Sequence, residues 1–472
     1  MTATVTLENL PELLRDDDRV QVAIVDIDGV MRGKIMAKNK FLSAAKDGFG
    51  FCSVVHGWDL HDKPYEPELS VSNLANGYRD LVARVDLETY RRTHTTPSIP
   101  LFLCTLLDPE TKEGMYADPR AVLQKVVKDL ATEGWEAMAG AEFEYFQFKE
   151  TPTSLYEKDF HNLTPLTKGM HGYSVLRPEV NGAYFHDLFD NCATMGIPIE
   201  AGHHTETGPG VFESALAYCP ASRMADNAVL FKHVARTTGL QHGIVPTFMA
   251  KPYGDQPGCS GHVHLSLRDK EGKNVFAVGA DEVEKGREGA PYEDVKRISQ
   301  VGEWFLAGIL DGLPDIMPCL VPTVNGYKRL VESYWAPTTV SYAYESRLAS
   351  VRVISPPLGD AKGTRLEVRV PGADMNPYLT FASLLALGLR GIRQQLALPG
   401  PPVGPRTDRA SLERLPKSLD RAVERMLREG SVAREALGRE TVEHLGATRQ
   451  NEWELFSQAV TNWELKRYLE LA

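Results

Sequence analysis

The run Ala141-Glu142-Phe143-Glu144-Tyr145-Phe146-Gln147-Phe148 constrains this chain more than any other stretch. Its alternation predicts a strand with Glu142 and Glu144 on one face, Phe146 and Phe148 continuing that face, and Phe143 and Tyr145 on the other. Both faces are therefore expected to be at least partly covered. Neighbouring carboxylates on a covered surface repel each other and lose hydration, so each stays protonated unless a cation lies between them. A solvated edge strand with two surface acids is the competing reading of an isolated Glu-x-Glu. Three downstream stretches decide against it.

In residues 200–213 a strand ending in Glu206, a Gly208-Pro209-Gly210 turn and a new strand carrying Glu213 would return two more carboxylates to one place. In residues 254–267, Gly258 and Gly261 permit close backbone approach to a ligand, and His262 and His264 share one face of the strand that follows. Neutral imidazole completes a Mn²⁺ site otherwise made of carboxylates. The third stretch is a ladder of cations: Lys328, Arg329, Arg347, Arg352, Lys362, Arg365 and Arg369, with Glu367 among the last three. On a chain of net charge −11, guanidinium groups on alternating strands point to a small-anion site. The same net charge argues against a nucleic-acid partner.

The rest of the chain reads as a soluble α+β enzyme. Of its 472 residues 43% are hydrophobic and 24% charged. The six cysteines (52, 104, 192, 219, 259 and 319) form no Cys-x-x-Cys pair, so neither a disulfide framework nor a zinc knuckle is expected. No secretory signal is read in residues 1–18, and the most apolar run, 379–389, is cut short by Arg390 and Arg393, so a cytoplasmic, non-membrane protein is expected. Residues 20–26 and 30–36 read as a hairpin across Asp28-Gly29, followed by a loop-rich stretch and a strand at 101–107. Asp118-Pro119 opens a helix running to Gly134. Residues 150–180 read as a long functional loop, and helices are expected at 185–195, 222–237, 295–311 and 378–396. A Pro/Gly-rich linker, 399–405, leads to last helices whose aromatic stripe (Trp453, Phe456, Val460, Trp463, Tyr468) reads as core or subunit contact. These patterns place an N-terminal domain at 1–110 and a larger one at 111–472.

Taken in order, these blocks resemble glutamine synthetase of the bacterial type I arrangement. The resemblance is carried by Glu142-Phe143-Glu144, by His203 to Glu213, by Gly258 to His264, by Asn325 to Leu330, and by Arg347 to Arg352 with Arg365 to Pro371. It implies a small N-terminal β-grasp domain and a large catalytic domain of the glutamine synthetase/guanido kinase kind, with a curved antiparallel sheet and flanking helices. It implies two Mg²⁺ or Mn²⁺ ions per site, one on Glu144, Glu206 and Glu213, the other on Glu142, His262 and Glu367, with ATP as co-substrate. Glutamate would be held by Arg329 and Arg369 beside Gly258. Arg347 and Arg352 would face the phosphates, with Arg347 catalytic, and the nucleotide would lie near Tyr218, His264, Ser266, Lys362 and Arg365. The resemblance further implies a ring, a dodecamer of two hexamers or else a decamer, with each site completed by a neighbour's N-terminal domain. Phosphorylating a carboxylate creates a leaving group, and that step needs the charge neutralisation which such an inventory supplies.

The pattern breaks at the amine. Family members that use ammonia hold it with an aspartate and a glutamate, and here Cys52 and Trp335 stand in those places. An aromatic wall suits an amine with a carbon skeleton. The chain is therefore similar to the γ-glutamyl-amine ligases, which act on polyamines, ethanolamine, alkylamines or anilines. Glu332, His56 and Asp59 are the candidate proton acceptors, Glu332 foremost. Val211 replaces a family glutamine, and the tyrosine block that carries adenylylation control has no counterpart between Leu396 and Leu415. Ammonia-dependent glutamine synthetase, a silent structural ring and a guanidino-phosphagen kinase are the competing readings.

Overall fold

The computed structural model describes residues 4–357 and 360–472, without the side chains of 201–204 and 333. Among the described residues two sheets organise the chain. The first runs Met31–Ala37, Arg19–Val25, Pro100–Leu107, Asp80–Arg92, Phe49–Cys52, with its first and third members in that order joined antiparallel and parallel to Arg19–Val25. Helix Lys38–Asp47 lies across it and sets Phe41 against Phe102, ring centroids 4.8 Å apart. This is the expected β-grasp arrangement, and the hairpin at 20–36 forms as read. Two of its elements, the 13-residue strand Asp80–Arg92 and helix Lys38–Asp47, fall where the sequence suggested loops. The strand takes polar side chains on its open face and a bulge between Asp86 and Arg91, which blurs the alternation.

The second sheet has eight strands, in the order Tyr342–Tyr344, Val351–Ile354, Arg365–Val368, Gly261–Arg268, Glu136–Phe148, Val211–Pro220, Ile199–Thr205, with Val245–Thr247 paired to the far end of Glu136–Phe148. All pairings are antiparallel except the first. Bulges in Glu136–Phe148 and Ile199–Thr205 bend this sheet. Phe143 and Tyr145 point into the core, where Phe231 of helix Ala221–Gln241 stacks on Phe143 at 5.9 Å. Each such aromatic side chain contributes roughly 1.5–3 kcal/mol on burial. Helix Pro377–Gln394 packs against Gln300–Gly312, Pro119–Thr132 and Ala221–Gln241, and is therefore buried nearly all round. No described helix is long and apolar enough to cross a membrane.

Asp118 caps helix Pro119–Thr132 by accepting from Arg120 N at 2.9 Å, as expected. The helix read at 295–311 starts later, at Gln300, because the Ser299 hydroxyl accepts from Gly302 N and caps it there. The loop at 150–180 contains the short helices Pro152–Glu157 and Leu176–Glu179. The terminal stripe is divided between Arg439–Gln458 and Asn462–Tyr468, and Val460 and Trp463 are 76% and 64% exposed. The stripe is therefore no part of this chain's own core.

Candidate active site

The site is built by strand register. Across the pairings His262 stands opposite Glu142, Glu213 opposite Glu144, and Glu367 opposite both His264 and Arg352. Directly opposed residues share a face at roughly 5 Å, so five local patterns become one surface. Glu144, Glu206 and Glu213 bring oxygens within 4.8 Å of one another, and so do Glu142, His264 and Glu367 with their ligand atoms. His262 Nδ1 lies 3.5 Å from Glu142 and 3.7 Å from Glu367, and His264 Nε2 lies 3.1 Å from Glu142. Both imidazoles thus reach the same two carboxylates, where the sequence reading assigned His262 to them and His264 to the nucleotide.

Burial, and after it the charges of Glu144, Glu142, Glu206 and Glu367, pushes the Glu213 carboxyl up to about 9. Burial acts upward on Glu142 too, but hydrogen bonds from His262 and His264 outweigh it and hold that group well below the usual range. Glu367 is buried as well, yet the charges of His262 and Arg369 bring it down to about 2. A buried knot of five acids and two imidazoles suits divalent cations bound by oxygen and nitrogen donors. Ser260 donates from its hydroxyl to Glu144 at 2.7 Å and fixes that carboxylate's direction.

These side chains line a cavity of about 330 Å³ that also holds Gly258, Arg329, Trp335, Arg347, Arg352 and Arg369. Arg329 is buried and donates to the carbonyls of Val370 and Arg369, each at 2.9 Å. Arg369 pairs with Glu367, while its buried Nε has no protein partner. A Cβ on Gly258 would sit 2.4 Å from the Ala250 carbonyl oxygen and 2.8 Å from Arg329 Cγ, so that wall admits glycine alone. Arg352 is held by Glu345 and by Glu367, the latter at 2.9 Å. Trp335 is 61% exposed, with φ +54°. Its neighbour Tyr334 donates to the Asp255 carbonyl at 3.0 Å and lies under the Lys251 ammonium at 4.3 Å. A second cavity, of about 450 Å³, shares Glu142 with the first and is lined by Tyr218, His264, Ser266, Lys362 and Arg365.

Some residues singled out from the sequence lie elsewhere. Glu332 is exposed, pairs with Arg414, and does not line the cavity. Cys52 is exposed at the end of its strand in the first sheet, with Sγ 3.5 Å from the Tyr78 carbonyl. His56 is fully buried beside His444, their rings 6.5 Å apart. Asp59 is turned inward onto its own loop. The side chains of His203 and His204 lie outside the described residues. Residues the sequence left unremarked also enter: Tyr173 and Thr207 line the first cavity, and Glu345 orients Arg352. Tyr173 sits in an aperiodic loop and Glu345 has φ +49°, so no periodic signal marks either.

The chain belongs to the family described as glutamine synthetase, catalytic domain, which matches residues 116–468. It is accordingly a ligase of that family. It is 41% identical to type-1 glutamine synthetase 2 of Dictyostelium discoideum, over 96% of this chain and 84% of that one. It is 32% identical to glutamate–isopropylamine ligase of a Pseudomonas species, over 96% and 95%. Its identity to gamma-glutamylethanolamide synthetase GlnA4 of Streptomyces coelicolor is also 32%, over 96% and 93%. A solved structure of GmaS with ADP shares the fold, with TM-score 0.79 over 98% of this chain and 99% of that one at 24% identity.

Proposed function

We propose that the protein joins the side-chain carboxylate of glutamate to an organic amine at the expense of ATP, through a γ-glutamyl phosphate, giving a γ-glutamyl amide. The observation that carries this reading is Trp335. An indole lines the cavity in the place where ammonia-using members carry a glutamate, beside the arginines suited to the amino acid. An indole face attracts an apolar or cationic amine body and takes no proton from ammonium.

Glu144, Glu206 and Glu213 would hold one Mg²⁺ or Mn²⁺, and Glu142, Glu367 and His262 the other, with His264 within reach of the same pair. Bound there, the ions would neutralise the phosphate oxygens and polarise the transferring group. Arg329 and Arg369 orient the glutamate main-chain carboxylate, which the unpartnered Arg369 Nε can meet, and the bare Gly258 leaves room for it. Arg347, exposed at the cavity, stabilises charge on the group in transfer, and Arg352 is aimed by Glu345. The larger cavity takes the nucleotide, so the shared Glu142 marks where its phosphates meet glutamate. No base role is proposed for Glu332. The same reading divides the chain at residue 110, places it in the cytoplasm, and assembles it into a ring whose contacts use the exposed terminal stripe and Cys52.

One finding favours ammonia instead: the Dictyostelium relative is named a glutamine synthetase. ADP release and product mass with glutamate and either ammonium or a panel of organic amines separates the two. Turnover with ammonium above every organic amine refutes the proposal, and no ADP release with any acceptor indicates a silent ring. Trp335→Glu is expected to raise the ratio of ammonium to organic-amine kcat/KM by about tenfold or more. An unchanged ratio would place the amine elsewhere.

A further inference from the structure

The acceptor can be narrowed by asking what would remove its proton, and this step rests on the reading that the acceptor is organic. The three groups the sequence offered as bases are engaged elsewhere. Glu332 pairs with Arg414 outside the cavity. His56 is fully buried against His444. Asp59 is 7% exposed and accepts from the backbone amides of His61 and Lys63 at 2.8 and 3.0 Å. The acids that do line the cavity are Glu142, Glu144, Glu206, Glu213 and Glu367, all members of the two carboxylate clusters. Among the described residues, then, the cavity has no carboxylate left to deprotonate an ammonium or to pair with a second one.

It has aromatic rings instead. Tyr173 and Trp335 line the same cavity from different loops, are 72% and 61% exposed, and hold φ of +57° and +54°. A left-handed backbone costs a bulky residue about 1–3 kcal/mol, and neither ring recovers this by burial in the core. Both conformations are held by the neighbouring backbone: Tyr173 N donates to the Thr205 carbonyl at 2.7 Å, and the Tyr334 hydroxyl to that of Asp255 at 3.0 Å. The chain thus spends strain on presenting two rings to the acceptor side of the site.

We propose that the acceptor is an arylamine, seated with its ring between Tyr173 and Trp335. An arylamine's conjugate acid is about as strong as a carboxylic acid, so at pH 7.4 the nitrogen is already neutral and needs no base. An alkylamine resembles lysine's side chain and is neutral in roughly one molecule per thousand at that pH. In the reaction the nitrogen lone pair forms the N–C bond to the γ-carbonyl carbon and the C–O bond to phosphate breaks. The proton then on nitrogen leaves with the departing phosphate.

The test compares aniline with cyclohexylamine, a six-membered ring of similar size, using the whole enzyme with glutamate, ATP and Mg²⁺ or Mn²⁺ at pH 7 and pH 9. We expect kcat/KM for aniline at pH 7 to exceed that for cyclohexylamine by about 100-fold. Cyclohexylamine should gain nearly tenfold per pH unit while aniline stays level. Trp335→Ala and Tyr173→Ala should each raise KM for aniline by roughly tenfold with KM for ATP unchanged. Cyclohexylamine equal to aniline at pH 7, or aniline KM unmoved in both variants, overturns the arylamine and leaves the organic-amine reading standing. Ammonium above both amines overturns that reading as well.

Discussion

Replacing Glu213 by glutamine is expected to stabilise the metal-free protein while crippling it as an enzyme. Burial and the charges of Glu144, Glu142, Glu206 and Glu367 put this carboxyl at about 9, against 4.5 in an unfolded chain. The folded state therefore binds more protons between those two values, and stability falls as pH rises through that window. At pH 7 the loss accumulated from 4.5 is 2.5 pH units, or about 3 kcal/mol at 1.36 kcal/mol per unit, an upper bound because neighbouring acids relax. Glutamine keeps the shape and carries no such penalty. In urea denaturation with chelator, the variant should be more stable than wild type at pH 7 and pH 8, and the two should converge near pH 4.5. Added Mn²⁺ should reverse the order: at 100 times Kd a bound ion contributes about 2.7 kcal/mol to the protein that binds it. A variant less stable than wild type in chelator at pH 7, or a wild type whose stability there does not fall with pH, would refute the reasoning.

Gly258→Ala places a methyl group 2.4 Å from the Ala250 carbonyl oxygen and against Arg329. It should cost about 1–3 kcal/mol of stability and raise KM for glutamate more than KM for ATP, measured by ADP release at varied substrate. Arg449→Met strands the buried Asp28 of the first sheet's hairpin, which Arg449 pairs with while also donating to the Pro322 carbonyl at 3.1 Å. Urea denaturation should show a loss of about 3–5 kcal/mol, with Asp28→Asn in the same chain recovering part of it; no recovery would mean that the charge was not the cause.

The anchor strand was legible because its signal is local: Glu142 and Glu144 alternate with aromatic residues, and the structure buries Phe143 and Tyr145 while the acids face the cavity. Arg365, Glu367 and Arg369 were legible for the same reason. Strand Asp80–Arg92 was missed because its bulge breaks the period, and helix Lys38–Asp47 because its polar residues outnumber the two it buries. The break of the terminal stripe after Gln458 has no cue in apolar spacing, since Val460 and Trp463 keep helical intervals across it.

By itself the amino-acid order determined which side chains carry the chemistry, since charge, ring and period are properties of a few consecutive residues. The tertiary structure alone decided how they are partnered. It set His264 as well as His262 against Glu142, gave Arg352 to Glu345, and turned Glu332 out to Arg414. It also raised Tyr173 opposite no sequence neighbour of Trp335, at the same cavity. Such pairings depend on strand register and on which of several staggered directions a side chain takes. Both are settled by packing between segments far apart in the chain, where no short pattern reaches.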